Sequence, residues 1–184
     1  GVQISAANAR PGDKIILSGT LADHGMAVLS RREGLEFESP IESDSAALNQ
    51  LVRRMFEVCP NIGVLRDPTR GGVGTALNEI AGQSEVGIRI YEASIPIKNS
   101  VAGLCELLGF DPLYVANEGK LLAFVENGYV DVVLEAMKAD TLGQDACVIG
   151  EVVPDHYGKV IMETAIGGER IVDMMTGEQL PRIC

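Results

Sequence analysis

The apolar residues of this chain change period repeatedly, and that switching limits its fold more than any other feature. KIILSG (14–19) is a strand-length run after the Pro11-Gly12-Asp13 turn and is bounded by Gly19. Met26 and Leu29 then give one side of a helix over Asp23–Arg32, with Asp23 as its cap and Gly34 as its end. GLEFESPIES is polar and broken by proline, hence a loop, and a clearer helix is predicted from a Ser43 or Asp44 cap. Its stripe is Leu48, Leu51, Val52, Met55, Phe56 and Cys59, and it stops at Pro60. GVLRD (63–67) reads as a strand, Val73 to Ala81 as a helix, IRIYE (88–92) as a strand and Ser100–Leu108 as a helix. KLLAFV (120–125) is a further strand, and Val130, Val133, Leu134 and Met137 mark another helix. The last third changes character: ACVIGEVV, KVIMET and ERIVDM are β-rich runs separated by HYG and IGG turns, which predicts sequential antiparallel strands. Helices mixed with strands and then a meander point to an α+β fold, a mixed sheet flanked by helices.

Composition narrows the function classes. At 184 residues, 46% hydrophobic and 22% charged, the chain suits one domain with an appended arm. Its longest apolar stretches, such as LLAFV (121–125), are strand-sized and far from the ~20 residues of a membrane span. A net charge of −11 argues against nucleic-acid and anionic-membrane partners, because binding phosphate backbones requires an excess of Lys and Arg. Cys59, Cys105, Cys147 and Cys184 form no C-x-x-C pair and no signal peptide is evident, so a reducing cytoplasm is expected. The first residue is Gly1, and the chain is expected to be part of a longer protein. The domain is read as residues 1–174, with 175–184 (MTGEQLPRIC) as a mobile C-terminal tail anchored only by Leu180 and Ile183.

Three places carry chemistry. In RDPTRGGVGTALNEIAG (66–82), Asp67 follows a strand and Gly71 and Gly72 open a helix, where backbone N–H groups can meet phosphate. Asp67 can contact Mg²⁺ and Arg70 can face an anion. The loop is neither a Walker A sequence, since no Gly-Lys-Ser/Thr follows, nor G-x-G-x-x-G, since Leu77 takes the third glycine position. On its own it reads first as a structural turn and second as a phosphate site, because glycine at helix starts is common for packing. In YVANEGKLLAF (114–124), Glu118 sits in a turn ahead of a buried strand, either as a general base or as a solvated turn residue. The third place is Cys184, the last residue, whose thiol lies beside the chain's own carboxylate with Arg182 in partial compensation. Cys59, Cys105 and Cys147 lie on apolar stripes or strands and read as core. His156 reads as a turn residue, His24 as a weak acid-base candidate, and neither has zinc-ligand spacing.

Taken together, KIILSGTLADHGMAVLSRREGLEFES, LRDPTRGGVGTALNEIA, VANEGKLL and the terminal PRIC resemble the C-terminal part of the HypE family of carbamoyl dehydratases. That family lies in the superfamily of aminoimidazole ribonucleotide synthetase and selenophosphate synthetase. DPTRGG marks the superfamily and PRIC this member. The resemblance implies the superfamily's C-terminal α+β domain and a role in hydrogenase maturation. Cys184 would be loaded as an S-carboxamide by the carbamoyltransferase HypF, then dehydrated with ATP and Mg²⁺ to a thiocyanate. Cyanide would pass to iron of the [NiFe]-hydrogenase centre on a HypC–HypD scaffold. It further implies Cys184 and Glu118 as catalytic, Asp67, Arg70, Gly71 and Gly72 at the nucleotide, and Asp67 as the metal contact. The family's N-terminal domain, which supplies most of the ATP site and forms the homodimer, is absent from these residues, so little turnover is expected from them alone. Two other readings stand beside this one: another synthetase of the superfamily, such as one making selenophosphate, or a non-catalytic docking module.

Overall fold

Successive side chains of a strand point to opposite faces, and in this chain the central strands find helices on both. The computed structural model describes residues 3–34 and 40–175. In chain order its elements are β1 (Lys14–Leu17), α1 (Asp23–Arg32), α2 (Asn49–Val58), β2 (Val64–Arg66), α3 (Gly72–Ser84) and β3 (Gly87–Tyr91). These are followed by α4 (Asn99–Leu108), β4 (Leu122–Val125), α5 (Val130–Lys138), β5 (Cys147–Val153), β6 (Val160–Glu163) and β7 (Glu169–Val172). The strands form one sheet in the order β2-β4-β1-β5-β3-β6-β7. Every pairing is antiparallel except β3 with β6, so the sheet is mixed, as the pattern of the sequence implies.

Ile15, Leu17, Leu122 and Phe124 face one core, which α1, α3 and α4 cover through residues such as Met26, Leu77, Ile80 and Leu104. Ile16, Ala123 and Val125 face the other, which α2 and α5 cover through Leu51, Met55, Val133 and Met137. Each fully buried aliphatic side chain of this size contributes roughly 1.5–3 kcal/mol, which ties the site-bearing loops at the strand ends to a rigid base. The β3-β6-β7 side is covered on one face only. On its open face Arg89 pairs with Glu169, and Glu151 of β5 accepts from both Lys14 and the Tyr91 hydroxyl. Those donors hold the Glu151 carboxyl below its ordinary range, and burial together with Glu151 pushes the Tyr91 phenol up to about 12. No helix among the described residues is long and apolar enough to cross a membrane.

Three sequence expectations change. The C-terminal strands are not a simple meander: β6 and β7 form a hairpin, but β3 lies between β5 and β6. Ile88 and Ile90 bury their side chains in that slot, which a local reading of turns does not reveal. The second helix begins at Asn49, not at Ser43 or Asp44, because Asp44 bonds to a distant turn instead of capping. Asp23 is likewise not a cap. The N-cap of α1 is Ala22 in the left-handed conformation (φ 70°), while Asp23 is buried against Lys98 and Thr20. Of the tail, only Met175 belongs to the described residues, so the expected mobility and Cys184 itself lie outside them.

Candidate functional site

The Asp67 loop and the Glu118 turn are joined through Asn117, which bonds to Pro68, 49 positions before it. Asn117 is fully buried. Its Nδ2 donates to the carbonyls of Pro68 (3.1 Å) and Val115 (2.9 Å), and its backbone N–H also donates to Pro68 (3.2 Å). Its Oδ1 accepts from the Ala22 N–H (2.9 Å), which explains how the strained entry to α1 is held. One amide side chain therefore uses both donors and its acceptor to tie three segments together, and a buried amide left partly unpaired would be costly.

Around this staple the backbone packs without room for side chains. Gly72 has φ 62°, and a Cβ there would lie 2.4 Å from the Leu113 carbonyl oxygen. Gly71 has φ 73°, and its Cβ would meet Thr75 Oγ1 at 2.3 Å. Gly25 approaches Val115 in the same way, and its N–H donates to the Ala116 carbonyl. The space that Gly71 and Gly72 leave is thus filled by the protein itself, so their observed work is to build the loop and the start of α3. Asp67 and Arg70 stand exposed beside them, with the Thr69 hydroxyl donating to Asp67 Oδ2 (3.1 Å). Pro68 between them is buried.

On the turn, Glu118 is half-buried, and its backbone N–H donates to Asp44 Oδ1 (3.0 Å). Asp44 Oδ2 lies 3.2 Å from the Lys120 ammonium. His24 meets Ser43 Oγ through Nδ1 (2.9 Å), so it joins α1 to the segment that carries Asp44. His156 occupies a left-handed turn position (φ 57°), as its sequence context implies.

The last described residues run along the same side. Asn78 Nδ2 donates to the Val172 carbonyl (2.8 Å), and the Tyr114 hydroxyl donates to the Asp173 carbonyl (2.8 Å). Tyr114 packs on α3, where a Cβ at Gly74 would lie 2.7 Å from its ring. The root of the C-terminal segment is therefore fixed next to the Asp67–Gly72 loop.

Sequence reasoning singles out Asp67, Arg70 and Glu118, and the fold gathers their two segments around Asn117. It misses the supporting roles of Asn117, Asp44 and Lys120. Asn117 and Lys120 flank Glu118 in the NEGK turn, and a buried strand directly after a polar turn was the available signal. Of the other cysteines, Cys59 and Cys105 are buried as expected, and burial pushes the Cys105 thiol up to about 11. Cys147 is only half-buried, its Sγ donates to the Ser94 carbonyl, and its thiol is also raised by burial. The raised thiols of Cys105 and Cys147 are the opposite of the lowered pKa of a reactive thiol.

A metal fits here in a limited way. Among the described residues no group of three or more His, Cys, Asp or Glu side chains could hold an ion. Asp67 alone matches the mode in which Mg²⁺ takes one or two carboxylates and completes its shell with phosphate and water.

Comparison with known proteins agrees with this architecture. The chain is 56% identical over 184 residues to the carbamoyl dehydratase HypE of Cupriavidus necator. A crystal structure of hydrogenase maturation protein HypE in complex with ATP superposes with a TM-score of 0.92 at 45% identity, covering 98% of this chain and 55% of that one. A HypE–HypF complex superposes with a TM-score of 0.88 at 49% identity, covering 92% and 55%. The chain spans about half the length of the curated relatives it matches, 52% of the Cupriavidus necator protein. The family model for the AIR synthase related protein, C-terminal domain, matches residues 10–163. A mixed sheet sandwiched by helices, with a glycine-built loop stapled to a carboxylate-bearing turn, is thus the frame of a chain that belongs to the AIR synthase related protein, C-terminal domain family.

Proposed function

We propose that this chain is the thiol-bearing C-terminal half of a carbamoyl dehydratase acting in hydrogenase maturation. The observation that carries the reading is the Asn117 staple, which ties the turn that bears Glu118 to the loop that bears Asp67 and Arg70. The tail begins beside that site, and from Met175 a fully extended chain reaches roughly 30 Å, enough to bring Cys184 to it. The similarity to HypE proteins, one solved with ATP and one with HypF, supports ATP as co-substrate and a HypF-type carbamoyltransferase as partner.

In this reading Cys184 carries an S-carboxamide. The carboxamide oxygen attacks the γ-phosphorus of ATP and displaces ADP, which turns a poor leaving oxygen into phosphate. Glu118 takes an N–H proton as the C≡N bond forms and the C–O bond breaks, and the second N–H proton is lost as well. The products are the S-cyanide, ADP and phosphate, and the elements of one water have left the carboxamide. A carboxylate in this role needs a fixed position within hydrogen-bond reach of the nitrogen, and the clamp on the Glu118 backbone supports this role. Asp67 would contact Mg²⁺, which neutralises charge on the transferring phosphate when bound. Arg70 faces the phosphate oxygens, while Gly71 and Gly72 shape the loop beneath them. Sulfur then serves as the leaving atom when cyanide passes to iron of the [NiFe]-hydrogenase centre on a HypC–HypD scaffold. The upstream half of the full-length protein provides the rest of the ATP site and the homodimer contact.

Mass spectrometry of the full-length protein with a HypF-type enzyme, carbamoyl phosphate and ATP tests this reading. A carbamoyl adduct followed by loss of one water, both absent in Cys184→Ala, is expected. Adducts that persist in that variant would overturn it.

A further inference from the structure

Asp44 comes from a segment 74 positions away from Glu118, yet it grips the turn that carries that carboxylate. We propose that Asp44 is a positioning residue for Glu118, working with Lys120, and this rests on the function proposed above.

Two side chains and a close backbone approach hold the turn. Asp44 Oδ1 accepts the Glu118 N–H at 3.0 Å, and Oδ2 pairs with the Lys120 ammonium at 3.2 Å. The two side chains are only 2% and 12% exposed, so the pair works with little solvent screening. Between them sits Gly119, where a Cβ would fall 1.6 Å from the Asp44 carbonyl oxygen, so the segment lies flat against the turn. The Lys120 stem rests on Gly19, where a Cβ would lie 3.0 Å from its Cε. The segment is itself moored: Ser43 Oγ meets His24 of α1 and accepts the Ser45 N–H.

This geometry acts on Glu118 through its backbone. A hydrogen bond to a carboxylate is roughly twice as strong as a neutral one, and a fixed Glu118 N–H restricts φ at that residue. Restricting φ sets the direction of its Cα–Cβ bond, and hence where the carboxylate can reach. Asn117, the residue before Glu118, is held from the inside by Pro68, Val115 and Ala22. Asp44 holds the Glu118 N–H from the outside, so the backbone that carries the Glu118 side chain is fixed by two anchors. Removing the Asp44 carboxylate frees the Glu118 N–H and leaves the Lys120 charge without its partner.

The test uses the full-length protein, carbamoylated at Cys184, in single-turnover dehydration, with ATP affinity measured separately. Asp44→Ala is expected to slow dehydration by about 100-fold, the size of effect that a small misplacement produces, with ATP affinity changed by less than about twofold. Asp44→Asn keeps an oxygen for the Glu118 N–H but loses the charge that pairs with Lys120, and should recover about tenfold of that loss, remaining about tenfold slower than wild type. Wild-type turnover in Asp44→Ala, or a parallel loss of ATP affinity and rate in both variants, overturns the proposal. If Asp44→Ala does not fold, Asp44→Asn decides: a slower rate at unchanged ATP affinity supports the assignment, and a wild-type rate or lost ATP affinity refutes it. Hydrogen exchange at the Glu118 amide is an independent readout, expected to be slow in wild type and at least about tenfold faster in Asp44→Ala. Equal exchange refutes positioning. A wild-type protein that carries carbamoyl but never dehydrates refutes the proposed function alone, and the exchange measurement still decides the role of Asp44.

Discussion

Asp67 and Asn117 sit on either side of one hydrogen-bonded junction, and they differ in everything except location. Asp67 and Arg70 are exposed, with one internal hydrogen bond on Asp67. Asn117, Gly71 and Gly72 are buried, the protein itself fills the space beside both glycines, and the Asn117 side chain has partners for its Nδ2 and its Oδ1. The difference teaches that the chemistry-bearing groups are mounted on a support that has no freedom of its own. Substitution in the support should cost folding, and substitution on the exposed rim should cost activity without folding.

The strongest way to break that contrast is Gly72→Ala. With φ at 62° and the new methyl group 2.4 Å from a carbonyl oxygen, the loop cannot accept it, and we expect at least about 3 kcal/mol of lost stability and little folded protein. Thermal unfolding of the purified variant checks this, and a native Tm would mean that the loop relaxes. Asn117→Ala should come next. It leaves the Ala22 N–H and the Val115 carbonyl without the Asn117 side chain, while the Pro68 carbonyl keeps the backbone N–H of residue 117, at roughly 1–3 kcal/mol for each group left unsatisfied. Urea unfolding should show a lower midpoint with little change in slope.

On the rim the expectation reverses. Asp67→Asn and Arg70→Ala should unfold within about 0.5 kcal/mol of wild type, as surface substitutions do. In the full-length protein each should lower ATP-dependent turnover by at least about tenfold, most plainly as weaker nucleotide binding for Arg70→Ala.

The smallest effect lies away from the site and gives the contrast a reference. Burial raises the Asp13 carboxyl above its ordinary range, against the opposing pull of the Arg10 backbone N–H and charge. A raised carboxyl pKa in the folded state means that stability is fully present below the unfolded value and is lost as pH rises through the folded one. Asp13→Asn removes that loss, so its Tm should exceed wild type by a degree or two at pH 7, about the effect of a few tenths of a kcal/mol. The gap should close as the pH falls below about 4, near the unfolded value, and a gap independent of pH would show that the carboxyl does not titrate differently on folding.

Much of this was legible in the sequence because it was local. Helical stripes and short apolar runs located α1, α3, α4, α5 and all seven strands, since 3.6- and 2-residue periods survive any tertiary context. The Asp67–Gly72 loop and the Glu118 turn stood out by residue type. What stayed hidden was long-range. Nothing near β3 announces that it separates β5 from β6. Asp44 looks like a helix cap until Glu118 and Lys120, far along the chain, take its oxygens, and α2 then starts at Asn49. Asn117 reads as one polar residue in a turn, and only the fold gives it Pro68 and Ala22 as partners.

The most direct test of the account is Glu118→Gln in the full-length protein, followed by intact-mass spectrometry during incubation with the carbamoyltransferase, carbamoyl phosphate and ATP. The variant should fold and load its carbamoyl group normally, because glutamine has the same shape and keeps the backbone N–H that Asp44 grips. It should then stall at the carboxamide, with loss of water slowed by at least about 100-fold, within the range attributed to a general base. Conversion to the S-cyanide at the wild-type rate would contradict the assignment of Glu118 and, with it, the claim that this clamped turn is where the dehydration occurs.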